Sequence, residues 1–261
     1  MKHKLDKIVL LGAGNVAAAL AKALIKKHEI VQVYSRSNSS AKKLAATIKC
    51  PFTNKLNEIV DSADLYIISV TDDAIEEIAK QLRLKNKIVI HTSGSVDKGV
   101  LKKTSDNYGA LWLLQTFSKK SVVKTNTPFV IDASTKKVSD YLSKLVKEMN
   151  GRPIHLNSDK KAKLHLAAVF ANNFTNHLYA VAFDLLKKEK IPFDLLMPLI
   201  DETIEKIKQV EPKKIQTGPA IRGDKKTINK QEAMLLNTPQ YLELYKLLTK
   251  SIQNLGHAKK L

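Results

Sequence analysis

The stretch that most constrains this chain runs from Ile8 to Ile25. Ile8, Val9, Leu10 and Leu11 form a continuous apolar run. Such a run suits a strand buried on both faces. Gly12, Gly14 and Ala17 follow at the spacing G-x-G-x-x-A, and an Ala/Leu-rich stretch of helical character covers residues 15–26. Strand, glycine turn and helix in that order are the context in which this spacing binds a dinucleotide. Gly12 permits the sharp turn. Gly14 has no Cβ, so a pyrophosphate can approach the backbone. Ala17 lets helix and strand pack closely. The free N–H groups at Asn15 and Val16 then face the phosphates. Gly12, Ala13, Gly14, Asn15 and Val16 are therefore the expected phosphate cradle.

The nucleotide's identity is read at the end of the next strand, Ile30–Tyr34, which runs into Ser35-Arg36-Ser37. An acidic residue near this point bonds a ribose 2′-hydroxyl, whereas an arginine accommodates a 2′-phosphate. Here an arginine lies between two hydroxyls. The expected cofactor is NADP(H), held at this end by Ser35, Arg36 and Ser37.

Strands and helices alternate down the next hundred residues. A helix is expected over 39–48, then a turn at Pro51. Strands are expected at 64–70, 87–90, 110–114, 129–132 and 152–155, with a helix over 135–149. This alternation predicts a doubly wound, mostly parallel sheet. Ligands of such sheets lie at the carboxyl ends of the strands. That places Val70 and Thr71 beside the cofactor, with Asp72 or Asp73 capping the next helix. It also brings His91-Thr92-Ser93-Gly94-Ser95 to the same edge. Thr92 is assigned to the cofactor and Ser93 to the substrate.

After Leu156 no further strand is expected. Ser158 can cap a long helix reaching about Lys190, apolar around much of its girth, as in a core or an interface. Asp194 can cap a helix over 195–209, and two more helices cover about 227–236 and 239–255. The domains are expected at 1–156, binding NADP(H), and 157–261, an all-α domain for substrate binding and dimerisation.

The net charge is +19. It invites a polyanion partner, but only Arg36, Arg83, Arg152 and Arg222 are arginines, and the lysines are scattered without interleaved aromatics. No specific nucleic acid is expected. No run of about 18 apolar residues exists, so no membrane span is expected. The N-terminus shows no apolar leader, and Cys50, the only cysteine, reads as an inert thiol. The chain is expected in the cytoplasm. No His, Cys, Asp and Glu group has metal-ligand spacing, so no metal is expected.

Several pieces together resemble the Rossmann-like proteins with a DUF2520 C-terminal domain, NADP-dependent oxidoreductases distantly related to 6-phosphogluconate dehydrogenase and pyrroline-5-carboxylate reductase. They are Gly12–Val16, His91–Gly94, Gln115-Thr116-Phe117-Ser118, His165 with Ala167–Phe174, Pro198–Ile200 with Glu202-Thr203, and Thr217–Asp224. They span nearly the whole chain, and the Gln-Thr-Phe-Ser and Gly-Pro-Ala-x-Arg-Gly-Asp pieces are distinctive. The resemblance implies an NADP-binding oxidoreductase and names no substrate. In these relatives a His or Tyr followed by Pro precedes Gln-Thr-Phe-Ser; here Trp112 and Leu113 stand there, and an indole is neither acid nor base.

A nicotinamide reductase needs a proton donor beside the reacting carbon. His165 is the first candidate and His91 the second. Asn172 and Asn173 follow His165 by seven and eight residues, two helical turns on. Asn173 joins the catalytic set and Asn172 the substrate set. Gln115, Thr116, Arg222 and Asp224 complete the substrate-binding expectation, Arg222 as a clamp for a carboxylate or phosphate. The expected activity is NADP(H)-dependent hydride transfer to or from a small carbonyl or imine compound, in a homodimer with the site in the interdomain cleft. The rival is an NADP-binding sensor or interaction protein without turnover.

Overall fold

The structure, a computed structural model, describes residues 6–257. Met1–Leu5 and residues 258–261 lie outside that description. Within it the chain forms two compact units that divide between Val169 and Phe170. The first thus includes the start of the helical region that the sequence pattern assigns to the second domain.

The first unit is built on eight strands: β1 (Lys7–Leu11), β2 (Glu29–Tyr34), β3 (Phe52–Thr53), β4 (Leu65–Ile68), β5 (Ile88–His91), β6 (Asn107–Leu113), β7 (Pro128–Ala133) and β8 (Arg152–His155). Their order in the sheet is β3-β2-β1-β4-β5-β6-β7-β8. Every neighbouring pair is parallel except β6 and β7. This is the doubly wound, mostly parallel sheet expected. The two-residue β3 replaces the plain turn expected after Pro51.

Both faces of the sheet are covered, and the strand pattern explains how. Ile8, Leu10, Leu65 and Ile67 join one apolar cluster with α1 (Asn15–Leu24), α2 (Asn38–Ile48) and a later helix, Lys136–Glu148. The alternate residues Val9, Leu11, Tyr66 and Ile68 join the other with α3 (Asp72–Gln81). Side chains alternate across a strand, so an uninterrupted apolar run feeds two cores at once. We call Lys136–Glu148 α4.

Three helix starts differ from expectation. Thr71, not Asp72 or Asp73, is the N-cap of α3, and it makes no side-chain cap bond; the two aspartates occupy the first turn, where the helix dipole favours them. Asn157, not Ser158, caps α5 (Ser158–Ala168), accepting from the Lys160 N–H at 3.0 Å. Ser158 instead donates to Asp132 at 2.5 Å. Pro192, not Asp194, precedes the turn that leads into the helix at 197.

The expected single helix over 158–190 is interrupted. After α5 a π-helical turn, Val169–Phe174, carries the chain into the second unit. That unit is all-α: α6 (Thr175–Lys188), α7 (Met197–Gln209), α8 (Pro219–Arg222), α9 (Lys225–Met234) and α10 (Pro239–His257). Tyr241 donates to Asp184 at 2.7 Å, tying α10 to α6. Neither α6 nor α7 buries a single residue. Among the described residues no helix is long and apolar enough to cross a membrane.

Candidate active site

The glycine turn after β1 is shaped by two different demands. Gly12 has φ +129° and donates its N–H to the Tyr34 carbonyl at 2.7 Å; a Cβ placed there would stand 1.9 Å from the Ser69 carbonyl oxygen. Only glycine fits. Gly14 is the opposite case. A Cβ there would meet nothing within 4 Å, so its bare face opens onto space. Gly14 is also the N-cap of α1, where no side chain bonds the free N–H groups of the first turn. An open glycine face beside unsatisfied N–H groups and a positive dipole end fits a pyrophosphate. Asn15 Nδ2 donates to the Phe117 carbonyl at 3.2 Å and so ties the loop after β6 to this turn.

A cavity of about 730 Å³ lies over the carboxyl ends of β1, β2, β4 and β5. All its lining residues belong to the first unit. It brings together the expected cradle, Gly12 to Val16, with Ser35, Arg36 and Ser37 at one end. Val70, Thr71, Thr92, Ser93, Gln115 and His165 also line it. Thr116 and His91 do not.

At the β2 end Arg36 is exposed and forms no ion pair among the described residues. Ser37 Oγ accepts from the Ser40 N–H at 3.3 Å and caps α2. Residues 35–40 contain no acid. A cation beside hydroxyls and a capped helix start can receive a phosphate dianion.

At the β5 end two rings close on one glycine. His165 and Trp112 meet edge to face, with centroids 5.3 Å apart at 80°. A Cβ on Gly94 would stand 2.7 Å from Trp112 and 2.8 Å from His165. The loop backbone is therefore seated directly against both rings. Thr92 Oγ1 donates to Ser69 Oγ at 3.2 Å, which joins the loops after β5 and β4.

His91 sits elsewhere. It is fully buried, and its Nδ1 accepts the Ser93 N–H at 3.2 Å. That bond assigns the proton to Nε2, which has no partner among the described residues. Burial, helped by the nearby Lys161 ammonium, pushes its pKa down to about 4. His91 is a neutral acceptor behind the loop, not a side chain facing the cavity. Its alternation with Val89 aims it into the core cluster that holds Leu101.

Gln115 lines the cavity with its amide already engaged. Nε2 donates to the Val122 carbonyl at 2.8 Å, and Oε1 accepts from Lys124 N–H at 3.1 Å and Thr127 Oγ1 at 2.9 Å. It knots the 115–127 loop.

The remaining expected residues lie in the second unit. Asn172 and Asn173 are exposed on the π-helical turn. An i→i+5 turn shifts the residues after it off the 3.6-residue register, so a spacing of seven or eight from His165 no longer fixes a common face. Asp224 caps α9, accepting from the Thr227 N–H at 3.0 Å and Thr227 Oγ1 at 2.7 Å; those bonds hold its carboxyl below the usual carboxylate range. Arg222 is exposed and ends α8, just before Gly223 at φ +70°.

Sequence reasoning misses two features of this site. Gly94 reads as a plain loop residue, although its role is contact with Trp112 and His165. Lys161 hides in a lysine-rich stretch, yet it is fully buried. Its signal is its place four residues before His165, on the same helix face.

The family described as "NADP oxidoreductase coenzyme F420-dependent" matches residues 7–94, and the domain of unknown function DUF2520 matches residues 127–252. Among curated proteins none matches the chain. A Bacteroides fragilis protein named as an NADP oxidoreductase is 42% identical, with TM-score 0.88 over 96% of this chain and 98% of its own. Protein TM1727 of Thermotoga maritima is 21% identical, with TM-score 0.70 over 97% and 100%. An imine reductase of Myxococcus stipitatus, solved with NADP+, is 15% identical, with TM-score 0.66 over 97% and 94%. The last two share the fold. With the first, the likeness in sequence extends over nearly the full length of both chains, and the chain belongs to the Rossmann-type NADP oxidoreductases that carry a DUF2520 domain.

Proposed function

We propose that this protein binds NADP(H) along the 730 Å³ cavity and transfers hydride to or from a small carbonyl or imine compound. The observation that carries the reading is the order of chemistries along one wall. Arg36 and Ser37 suit a 2′-phosphate, the open face of Gly14 and the start of α1 suit a pyrophosphate, and Thr92–Gly94 with His165 lie at the far end. Bound NADPH supplies the hydride. The protein's own work is to orient and to move a proton. Thr92 and Gly94 form the floor, and His165, half-buried against Trp112, exchanges the proton with the substrate heteroatom. The imine reductase among the structural relatives favours testing cyclic imines beside keto acids.

Arg222, which has no ion-pair partner among the described residues, is the proposed clamp for a substrate carboxylate. Asn173 is proposed for the catalytic set with His165, and Asn172 for holding the substrate's polar group. The protein is proposed to be a cytoplasmic homodimer joined through the helical unit. In support, Phe170, Leu195, Leu199 and Leu247 are each more than 60% exposed, and α6 and α7 bury nothing.

The test is a fluorescence titration with NADPH and NADH, followed by a panel of keto acids and cyclic imines with loss of NADPH absorbance as readout. Tight NADPH binding with oxidation by a panel member is the expected result. Tight binding without turnover on any carbonyl or imine would move the protein to the sensor class. Failure to bind either nucleotide would overturn the reading.

A further inference from the structure

Lys161 is fully buried, a rare place for an ammonium that forms no ion pair among the described residues. The nearby buried carboxylate of Asp132 is already engaged, by Lys98 Nζ at 2.6 Å and Ser158 Oγ at 2.5 Å. Lys161 directs its donors at backbone instead. Nζ donates to the Ser93 carbonyl at 3.3 Å and to the Val96 carbonyl. Burial lowers its pKa below the ordinary lysine value, against the pull of Asp132 and Asp97.

The preceding peptide, on the other side of the Ser93 Cα, is held too. Its N–H donates to His91 Nδ1 at 3.2 Å. The Ser93 side chain is occupied too, with Oγ accepting from the N–H groups of Ser95 at 3.2 Å and Val96 at 3.1 Å. Residues 92–96 belong to no strand, so their polar groups need partners from elsewhere. Two buried titratable side chains, from β5 and α5, supply them. Neither side chain lines the cavity, but the loop they hold does. Lys161 also lies one helical turn before His165 on α5.

We propose that Lys161 is a positioning residue: with His91 it holds the two peptide groups that flank the Ser93 Cα, and so fixes Thr92, Gly94 and the His165 turn at the nicotinamide end of the cavity. The inference rests on the NADP(H) reading above. A methionine of similar length would fill the space and leave the Ser93 and Val96 carbonyls without a donor. The loop would then move, while the Arg36 end, built on β2 and α2, would not.

The experiment uses the full chain and two ligands. NADPH spans the cavity, whereas adenosine 2′,5′-bisphosphate reaches only the Arg36 end. Trp112 is the only tryptophan, so energy transfer from it to bound reduced nicotinamide reports on that end alone. In Lys161→Met, NADPH is expected to bind about tenfold more weakly, with the bisphosphate within twofold of wild type and the sensitised emission diminished. His91→Leu should do the same, and the double variant should lose no more than either single one, because both act on the backbone of one loop residue. Because the substitution leaves two carbonyls without their donor, a melting curve accompanies each titration. Should Lys161→Met fail to fold, His91→Leu and its emission decide the matter alone. Equal weakening of both ligands, no weakening of NADPH, or full additivity in the double variant would overturn the inference. If wild-type protein binds neither ligand, the NADP(H) reading falls first and this inference falls with it.

Discussion

His165 and Trp112 are locked edge to face, 5.3 Å between centroids, and the backbone of Gly94 is pressed against both. The imidazole that faces the cavity is thus fixed by packing rather than by a carboxylate. Its expected role is proton exchange. His165→Gln should lower kcat by about a hundredfold or more while leaving NADPH affinity within a fewfold of wild type. Trp112→Phe should keep most of the turnover, since a ring remains to hold the imidazole. Steady-state kinetics beside a cofactor titration check both.

Gly12 and Gly14 should fail in different ways. Gly12→Ala combines a disfavoured φ of +129° with a Cβ 1.9 Å from the Ser69 oxygen, and should cost about 2 kcal/mol or more of stability. Gly14→Ala has φ −77° and open space around it, so the melting temperature should stay near wild type. Its methyl would instead stand where the pyrophosphate approaches, and NADPH binding should be lost. Melting curves and titrations on the two variants separate the cases.

Arg36 should decide between the two nicotinamide cofactors. Arg36→Ala should weaken NADPH by about tenfold or more and leave NADH nearly unchanged. Equal losses for both would place the guanidinium away from the 2′-phosphate.

His91 should make the protein acid-sensitive. Its folded pKa lies near 4, below the ordinary 6.5, because burial disfavours the imidazolium. The unfolded chain therefore takes up the proton first. The stability from keeping His91 neutral is present above about pH 6.5 and is lost as pH falls through the folded value. The loss should approach about 3 kcal/mol near pH 4. Urea unfolding at several pH values should show this slope in wild type and a flatter one in His91→Asn.

The sheet is legible in the sequence because its strands are apolar on both faces. Runs such as Ile8–Leu11 and Leu65–Ile68 have no polar face to mislead the reading. The two-residue β3 and the four-residue α8 are not legible, being too short for any period to register. The meeting of Gly12–Val16 with Ser35–Ser37 on one cavity is legible because both stretches follow neighbouring parallel strands and so reach the same edge of the sheet. His91 illustrates the limit. Its place at a strand end is clear, but the face it turns to depends on the cover the sheet receives there, and the 98–101 turn with Leu101 supplies that cover. Lys161 illustrates another. Lys160, Lys161 and Lys163 look alike as a solvated run, and only the packing of α5 singles out one of them. The spacing of Asn172 and Asn173 from His165 assumes a 3.6-residue period that the π-helical turn breaks.

The contact between Gly94 and Trp112 also bears on how such a site can diverge. The indole leaves no room for even a methyl at position 94, so each of the two positions sets what the other tolerates. A descendant that trades Trp112 for a smaller residue clears only one side of that space, because His165 Cδ2 would still stand 2.8 Å from a Cβ at 94; the imidazole must turn aside as well before a side chain there can line the β5 end. The reverse order is closed, because a side chain at 94 arriving first collides with a ring still in place. Change at 94 should therefore follow change at 112 and require the His165 ring to give way, so a library varying 94 and 112 should yield folded protein with altered selectivity only where that ring can turn, and libraries varying 94 alone only damaged protein.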